Sequence, residues 1–250
     1  HLDYAAQLRW KTQQIQELLQ HMAGISFDVS PCQASPRQWH YRSKITPHFE
    51  KTATAATMPI GFLAVGRRSQ LLDVPQCPIA MENINQALPG IRAATRERSH
   101  KRGGTLLLRA GFHPNSDVAL VATNPRDTIE ERCGDIRFQF IAGEFFQNNP
   151  FILSDFTRYV CEQAQENGNR FLVDAYCGSG LFSLTAAHAF EQCAGVEVSE
   201  TAIEWAKRNA ELNGISHVHF LAASAEAIFD GLSFPPAVSY THLRAHETEA

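Results

Sequence analysis

The sequence predicts an α/β protein in two parts: a strand-rich α+β lobe, then an incomplete α/β domain of about three parallel strands. Between residues 38 and 140, short apolar or alternating runs are bounded by Gly, Asn or Pro, which is typical of strands. After residue 150, strand and helix patterns alternate, as parallel strands with crossover helices require. Residues 1–140 carry a net charge of +5 and residues 141–250 one of −9. This asymmetry indicates two lobes with different partners, or only chance surface composition.

Local patterns predict each element in turn. Residues 4–22 form a predicted helix, because their apolar residues recur at helical spacing before a stop at Gly24. The strands predicted next are "YRSKITPHFE", "PIGFLAV", "TLLLRAG", "DVALVAT" and "DIRFQFI", with one helix among them at about 79–95. The second part follows as strand "FLVDA", helix 180–190, strand "AGVEV", helix 199–213 and strand "HVHFLAA". The expected divisions are a first lobe over 1–145, an α/β domain over 146–236, and a tail of foreign or disordered sequence over 237–250.

Composition excludes several classes of protein. A hydrophobic content of 44% suits a globular core, and no apolar run approaches the roughly 18–20 residues that span a bilayer. The sequence shows no secretory leader. Its six cysteines include no C-x-x-C pair, so neither a zinc spacing nor a dense disulfide framework is visible. We expect an intracellular protein with no membrane span and no structural metal.

The segment "VDAYCGSGLF" at residues 173–182 is a short apolar strand that runs into a glycine turn before a helix. Gly178 and Gly180 lack a Cβ atom, so a ligand can approach the backbone closely. The following helix offers unpaired N–H groups. Glu197 ends the next strand, 17 positions after Gly180, where a carboxylate reaches the hydroxyls of a ribose.

Two nucleoside cofactors fit this turn. A nicotinamide dinucleotide favours G-x-G-x-x-G, but Ser183 stands at the third glycine position. S-adenosylmethionine has no phosphate, tolerates a looser turn, and favours an acidic residue such as Asp174 near its amino and sulfonium charges. We therefore expect S-adenosylmethionine. The structural alternative is a turn that only packs strand on helix.

Six segments in order resemble the RNA 5-methyluridine methyltransferases, which modify carbon 5 of uridine in tRNA or ribosomal RNA. They are "HLDYAAQLRWK", "YRSKITPHF", "GFLAVGRRSQLLDVPQCPIA", "GEFFQNNPFI", "DAYCGSGLFSL" and "GVEVSETAIEWAKRNAELNGI", and they cover about residues 1–236. Their texture is most similar to the fungal-type tRNA enzymes that make the T-arm thymidine. The resemblance implies a Rossmann-like class I methyltransferase domain over 146–236, S-adenosylmethionine as cofactor, and RNA, with tRNA expected, as partner.

The resemblance also implies roles for single residues. Gln147 would contact the methyl donor, Tyr176 would lie against it within the turn, and Glu197 would bind its ribose. Structural alternatives stand beside these roles. Tyr176 could be ordinary core, Gln147 could cap the helix that begins near Asn149, and Asp174 could only hold the glycine loop through backbone N–H groups.

Basic and aromatic residues are interleaved in the strand-rich lobe. They are Arg37, Arg42, Lys44, Lys51, Arg67 and Arg68, with Trp39, Tyr41 and Phe49. Such a mixture suits RNA, because cations pair with phosphates and rings stack on bases. Our candidate RNA-binding residues are Arg42, Lys44, Arg67 and Arg68, although any one of them could be a solvated surface charge.

The catalytic residues are expected outside this chain. In the family that the sequence resembles, a cysteine thiolate adds to carbon 6 of uracil and a glutamate-type base helps to remove the carbon-5 proton. Both follow a D-P-P-R segment, which this chain lacks, and no cysteine follows Cys193. Cys177 would face the donor rather than uracil. We expect no methylation by this chain; the alternatives are a non-catalytic RNA-binding module and a methyltransferase with another substrate.

Overall fold

The computed structural model describes residues 2–50, 57–98, 100, 102–166, 168–224 and 239–240, without the side chains of Arg68, Ser239 and Tyr240. The chain forms two compact units, His1–Trp39 and His40–Ala250. Among the described residues, no helix is both long enough and apolar enough to cross a membrane.

The first unit is built on helix α1, Tyr4–Ala23. Asp3 caps its N-terminus by accepting a backbone N–H at 2.9 Å. Gly24 ends the helix in the left-handed conformation (φ 66°), as glycine does at many helix C-termini. The chain then returns along the helix, where the Cys32 N–H donates to Thr12 Oγ1 at 2.8 Å. Both the predicted helix and its predicted stop are confirmed.

The second unit begins with two antiparallel sheets and one helix. Its elements are β1 (Lys44–Ile45), β2 (His48–Phe49), β3 (Ile60–Ala64), β4 (Arg67–Asp73), α2 (Glu82–Glu97), β5 (Gly104–Thr105), β6 (Leu108–Phe112), β7 (Ala119–Ala122), β8 (Thr128–Cys133) and β9 (Ile136–Ile141). One sheet has the order β4-β3-β2-β5; the other has the order β1-β6-β8-β9, with β7 also paired to β6. Helix α2 buries Ile84 and Leu88 against Ile45 and Leu108 of the second sheet.

Strands and helices then alternate, as predicted. The elements are a 3₁₀ turn (Pro150–Ile152), α3 (Leu153–Gln165), β10 (Phe171–Asp174), α4 (Leu181–Ala186), a 3₁₀ turn (Ala187–Ala189), β11 (Gln192–Glu197), α5 (Glu200–Leu212), β12 (Val218–Ala222) and β13 (Ser239–Tyr240). The four strands are parallel and lie in the order β12-β11-β10-β13.

The strand count corrects a prediction, because the described parallel sheet has four strands rather than about three. β13 pairs Ser239 with Val173 and Tyr240 with Asp174, and it lies in the predicted tail of foreign or disordered sequence. A strand of two residues is defined by backbone pairing and needs no apolar run, so the polar tail carried no strand signal. The rest of the predicted tail lies outside the described residues.

One hydrophobic core joins the strand-rich part of the second unit to its α/β part. Ile129, Phe138 and Phe140 from β8 and β9 pack in the same cluster as Leu153 of α3 and Leu184 of α4. The buried core therefore continues across the predicted boundary near residue 145. That boundary marks a change in strand pattern, and as a limit between domains it stays a prediction.

Candidate functional site

The glycine turn follows strand β10 and leads directly into helix α4. Gly178 and Gly180 have φ values of 52° and 93°, a left-handed backbone that side chains other than glycine rarely adopt. A Cβ atom on Gly180 would also come within 3.1 Å of Leu184 Cδ1. The Cys177 N–H donates to the Val196 carbonyl at 3.0 Å, so the turn is attached to the neighbouring strand β11. The backbone therefore requires both glycines, whereas close approach of a ligand, the reason for which they were predicted, stays a prediction.

A cavity of about 370 Å³ lies beside this turn. Its walls are the turn, the connection from β11 into α5, and the segment from Phe140 to Gln147. Of the six residues predicted to bind a cofactor, Gln147, Tyr176, Gly178 and Glu197 line it. The fold therefore brings together three segments that lie far apart in the sequence.

Aromatic rings form the apolar side of the cavity. Phe146 stacks on Phe140 with ring centroids 4.3 Å apart and ring planes 8° apart, and Phe145 and Tyr176 are 48% and 44% exposed. Tyr176 is therefore not ordinary core, which excludes the structural alternative for this residue. Trp205 of α5 contributes a further ring.

Glu197 stands at the end of β11 and is oriented by the start of α5. Its Oε1 accepts the Ser199 N–H at 3.1 Å. Ser199 is the N-cap of α5, and its Oγ accepts the Ala202 N–H at 3.3 Å. Backbone that is itself held by a helix cap therefore fixes the direction of the Glu197 carboxylate.

Asp174 lies beneath the glycine turn, and neither it nor Gly180 is in the cavity lining. Its side chain is buried, and Oδ2 accepts the Ser183 hydroxyl at 2.9 Å. Oδ1 is also buried and accepts no hydrogen bond of normal geometry from the described residues. Ser183 stands where a dinucleotide-binding turn has its third glycine, so the departure from that motif has a structural reason. The position fits the alternative in which Asp174 supports the loop.

The charge state of Asp174 is strongly affected by this position. Burial raises the pKa of its carboxyl to about 6. The Ser183 hydroxyl and the N–H groups of Tyr176 and Ser183 oppose this rise, whereas the nearby charge of Glu197 adds to it. A positive charge placed close to Asp174 would stabilise its carboxyl in the ionised form.

Gln147 is separated from the helix cap that its sequence neighbours suggested. Asn149 is the capping residue: its Oδ1 accepts the Phe151 N–H at 3.2 Å, and Pro150 follows at the first position of the turn. Gln147 lies in the cavity lining instead. The capping alternative for Gln147 is therefore wrong.

Four of the buried cysteines, Cys133, Cys161, Cys177 and Cys193, do not resemble activated nucleophiles. Cys177 is buried within the turn, and burial raises the pKa of its thiol well above the ordinary value, with further rises from the charges of Asp174 and Glu197. Burial also raises the thiol pKa of Cys133, Cys161 and Cys193, the last to about 12. Each thiol is therefore held in its protonated, unreactive form.

The candidate RNA-binding residues have different surroundings. Lys44 Nζ donates to the carbonyls of Gly143 and Glu144 at 3.0 and 3.3 Å, and Arg42 Nε donates to the Lys44 carbonyl at 3.0 Å. Lys44 thus holds the chain that leads to the cavity, whereas Arg42 bonds to the backbone of Lys44. Arg67 is exposed, and the side chain of Arg68 lies outside the described residues. An RNA-binding role for the four stays a prediction.

The described part of the chain contains no group of three or more His, Cys, Asp or Glu side chains placed to hold a metal ion.

Comparison with known proteins identifies the family. Residues 118–235 match the family model described as tRNA (uracil-5-)-methyltransferase. The tRNA (uracil(54)-C(5))-methyltransferase of Schizosaccharomyces pombe is 36% identical over 250 residues, which cover 94% of this chain and 47% of that protein. These matches confirm the predicted family, the RNA uracil-5 methyltransferases. A second uracil-5 methyltransferase, from Saccharomyces cerevisiae, is 32% identical over 81% of this chain and 41% of its own length.

The chain thus spans about half the length of the curated uracil-5 methyltransferases that it matches. A solved structure has the same fold: Pyrococcus abyssi tRNA (uracil-54, C5)-methyltransferase in complex with S-adenosyl-L-homocysteine. It superposes with a TM-score of 0.65 at 22% identity, over 90% of this chain and 64% of that one. The Rossmann-like fold predicted from the sequence is confirmed.

Several residues of the site were missed by sequence reasoning. Phe140, Phe146 and Trp205 line the cavity, and Ser183 anchors Asp174. The pair "FF" before Gln147 was a usable signal, because two aromatics beside a polar contact residue are unusual in a loop. For Trp205, the helical pattern of α5 indicates a core position, and only the fold shows that it reaches the cavity.

Proposed function

We propose that this chain carries the S-adenosylmethionine site and part of the RNA-binding surface of an RNA uracil-5 methyltransferase. Its substrate would be a uridine in tRNA, in the T-arm as the names of the fungal relatives suggest. The observation that carries the proposal is the single cavity onto which Gln147, Tyr176 and Glu197 converge, next to a turn with two left-handed glycines.

The residues at the cavity suit the cofactor chemically. Glu197 would accept hydrogen bonds from ribose hydroxyls, and Tyr176 and Phe146 would cover apolar parts of the donor. The buried Oδ1 of Asp174, together with the Glu197 carboxylate, makes the region favourable for a cation. When bound, S-adenosylmethionine supplies a methyl group activated by its sulfonium charge.

Methylation at carbon 5 of uracil needs a further group, because that carbon is a weak nucleophile until a thiolate adds to carbon 6. Burial keeps the thiols of Cys133, Cys161, Cys177 and Cys193 protonated. The D-P-P-R segment after which the family's catalytic residues stand is also missing from the sequence. We therefore assign no catalytic residue within residues 1–250 and propose that the thiolate and the base come from elsewhere. Methyl transfer by this chain alone is not expected.

We also propose that the two predicted parts of the chain bind different ligands. Residues 1–145 would contact RNA, with Arg67 as the exposed candidate cation, while residues 146–236 would hold the methyl donor. Lys44 would support the chain beside the cavity and Arg42 the backbone of Lys44. Both would reach RNA only secondarily, since both already hold backbone carbonyls. We propose an intracellular enzyme, in keeping with a substrate found inside cells.

Calorimetric titration with two ligands tests the cofactor assignment. We expect the chain to bind S-adenosylhomocysteine at one site and NADH not detectably. The reason is that Ser183, at the third glycine position, is committed to Asp174, so the turn lacks the close backbone approach that a diphosphate needs. Binding of NADH but not of S-adenosylhomocysteine would mean that the cavity serves a dehydrogenase.

A further inference from the structure

Asn209 of helix α5 and Asn213, the C-cap of that helix, cover the outer edge of strand β9. β9 is the last strand in its sheet and pairs with β8 along one edge only. Backbone N–H and C=O groups on an uncovered edge are left without partners and invite pairing with other chains. Asn209 and Asn213, whose side chains point at this edge, replace the missing strand.

The hydrogen bonds form a regular pattern. Asn209 Oδ1 accepts the Gln139 N–H at 2.8 Å, and Asn209 Nδ2 donates to the Gln139 carbonyl at 3.1 Å. Asn213 repeats this pair two strand residues away: Oδ1 accepts the Arg137 N–H at 2.9 Å, and Nδ2 donates to the Arg137 carbonyl at 2.7 Å. Each side-chain amide thus pairs with a strand residue as a neighbouring backbone amide would.

The match between the helix and the strand has a geometric origin. Four residues of α-helix advance about 6 Å, and two residues of β-strand advance about 6.8 Å. Asparagines spaced i, i+4 on a helix therefore fall almost in register with strand residues i, i+2. The helix runs opposite to the strand, since Asn209 meets Gln139 and Asn213 meets Arg137.

Asn209 makes one contact that Asn213 does not. Its Nδ2 also donates to the Ser179 carbonyl at 3.1 Å, between the two left-handed glycines of the turn. The corresponding extra bond of Asn213 goes to the carbonyl of Asn209, within the helix end. Asn209 is fully buried, so water does not compete for these bonds. One amide therefore joins helix α5, strand β9 and the glycine turn.

We propose that Asn209 is a positioning residue for the donor site, which holds the glycine turn at a fixed distance from β9. It does not line the cavity and acts through Ser179 on one wall and through Gln139, next to Phe140, on the other. Both walls of the cavity thus depend on the same buried amide. This inference rests on the proposed cofactor, S-adenosylmethionine.

The two asparagines provide a matched pair of variants. Asn209→Ala and Asn213→Ala each remove two hydrogen bonds to β9, so both are expected to lower the Tm. Only Asn209→Ala also releases the turn. We expect its dissociation constant for S-adenosylhomocysteine to rise by about tenfold, the size of one lost buried hydrogen bond, while Asn213→Ala stays within about twofold of the wild type. Asn209→Asp keeps the acceptor toward the Gln139 N–H, and it is measured in the same way if Asn209→Ala does not fold.

Hydrogen exchange in the ligand-free protein gives a second readout. The N–H groups of Cys177 and Gly180 are hydrogen-bonded within and beside the turn, and we expect them to exchange faster in the Asn209 variants than in Asn213→Ala. Equal exchange and equal affinity in both variants would overturn the inference and leave the proposed function standing. Failure of the wild-type chain to bind S-adenosylhomocysteine would instead overturn the proposed function, and this inference with it.

Discussion

Glu197 is the residue on which recognition of the donor is expected to depend most. Glu197→Ala should weaken binding of S-adenosylhomocysteine by about tenfold or more, because a charge-assisted contact to the ribose contributes roughly 1.5–3 kcal/mol. Glu197→Gln keeps an acceptor for the Ser199 N–H but loses the charge, so an intermediate loss is expected. Calorimetry on the three proteins measures the series.

Glu200 supplies the control for this prediction. It is exposed, it stands three residues further along the chain, and it is not in the cavity lining. Glu200→Ala changes the net charge equally and should leave the affinity unchanged. If Glu197→Ala lowers the Tm but leaves the affinity intact, Glu197 only supports the start of α5.

Asp174 makes a pH-dependent contribution to stability. Its pKa is about 6 in the folded chain, against about 3.9 for an unperturbed aspartate. Between these values the folded state binds the extra proton, so the free energy of unfolding falls as the pH rises from 4 to 6. The full decrease is about 3 kcal/mol for a difference of about two pH units.

Asp174→Asn removes this titration while keeping an oxygen for the Ser183 hydroxyl. Urea unfolding of the ligand-free chain at several pH values measures the free energy of unfolding. Between pH 4 and 6 this free energy should fall less steeply for the variant than for the wild type. Glu131, whose pKa burial also raises, contributes equally to both proteins. Identical slopes would mean that Asp174 is already ionised in the fold.

For single residues, the sequence predicted which side chains belong to the site better than it predicted the role of each one. Gln147, Tyr176 and Glu197 were found from a glycine turn, a strand end and a family resemblance, and all three line one cavity. Asp174 is held below the turn by the Ser183 hydroxyl. The G-x-G-x-x-G motif shows only that Ser183 stands where the third glycine would be, and it gives no sign of this hydrogen bond. The role of Asn209 depends on the register between a helix and a strand 70 residues apart, which no local pattern contains.

Among the elements, those with a strong period were predictable and those defined by a partner were not. α1, α5 and strands β10 to β12 lie where apolar periodicity placed them, within a few residues. The run "YRSKITPHFE" was predicted as one strand, but it contains β1 and β2, which lie in two different sheets. Like β5 and β13, these strands have two residues each and are defined by the backbones of their neighbours. The start of a helix near Asn149 was predicted from the Asn-Pro pair, but the course of α3 to Gln165 was not, although the helix buries Leu153, Val160 and Ala164 on one face.

The shared core explains why the second unit of the molecule is less divisible than its sequence suggests. A change from strand-rich to alternating pattern is visible in the sequence, and it predicted a boundary near residue 145. Side chains from β8 and β9 nevertheless pack with helices α3 to α5 in one cluster. The side chains of Asn209 and Asn213 also form hydrogen bonds to the backbone of β9, across the predicted boundary. Contacts of this kind are set by the fold and leave no trace in local composition.

We propose above all that this chain holds the methyl donor but not the thiolate that activates uridine. Equilibrium dialysis with methyl-labelled S-adenosylmethionine and an unmodified tRNA transcript, followed by nucleoside analysis of the RNA, tests both parts of this proposal together. We expect label bound to the protein at one site, displaced by excess S-adenosylhomocysteine, and no label in 5-methyluridine. Label in 5-methyluridine would contradict the absence of a nucleophile and direct attention to Cys177, whereas no bound label at all would contradict the donor site.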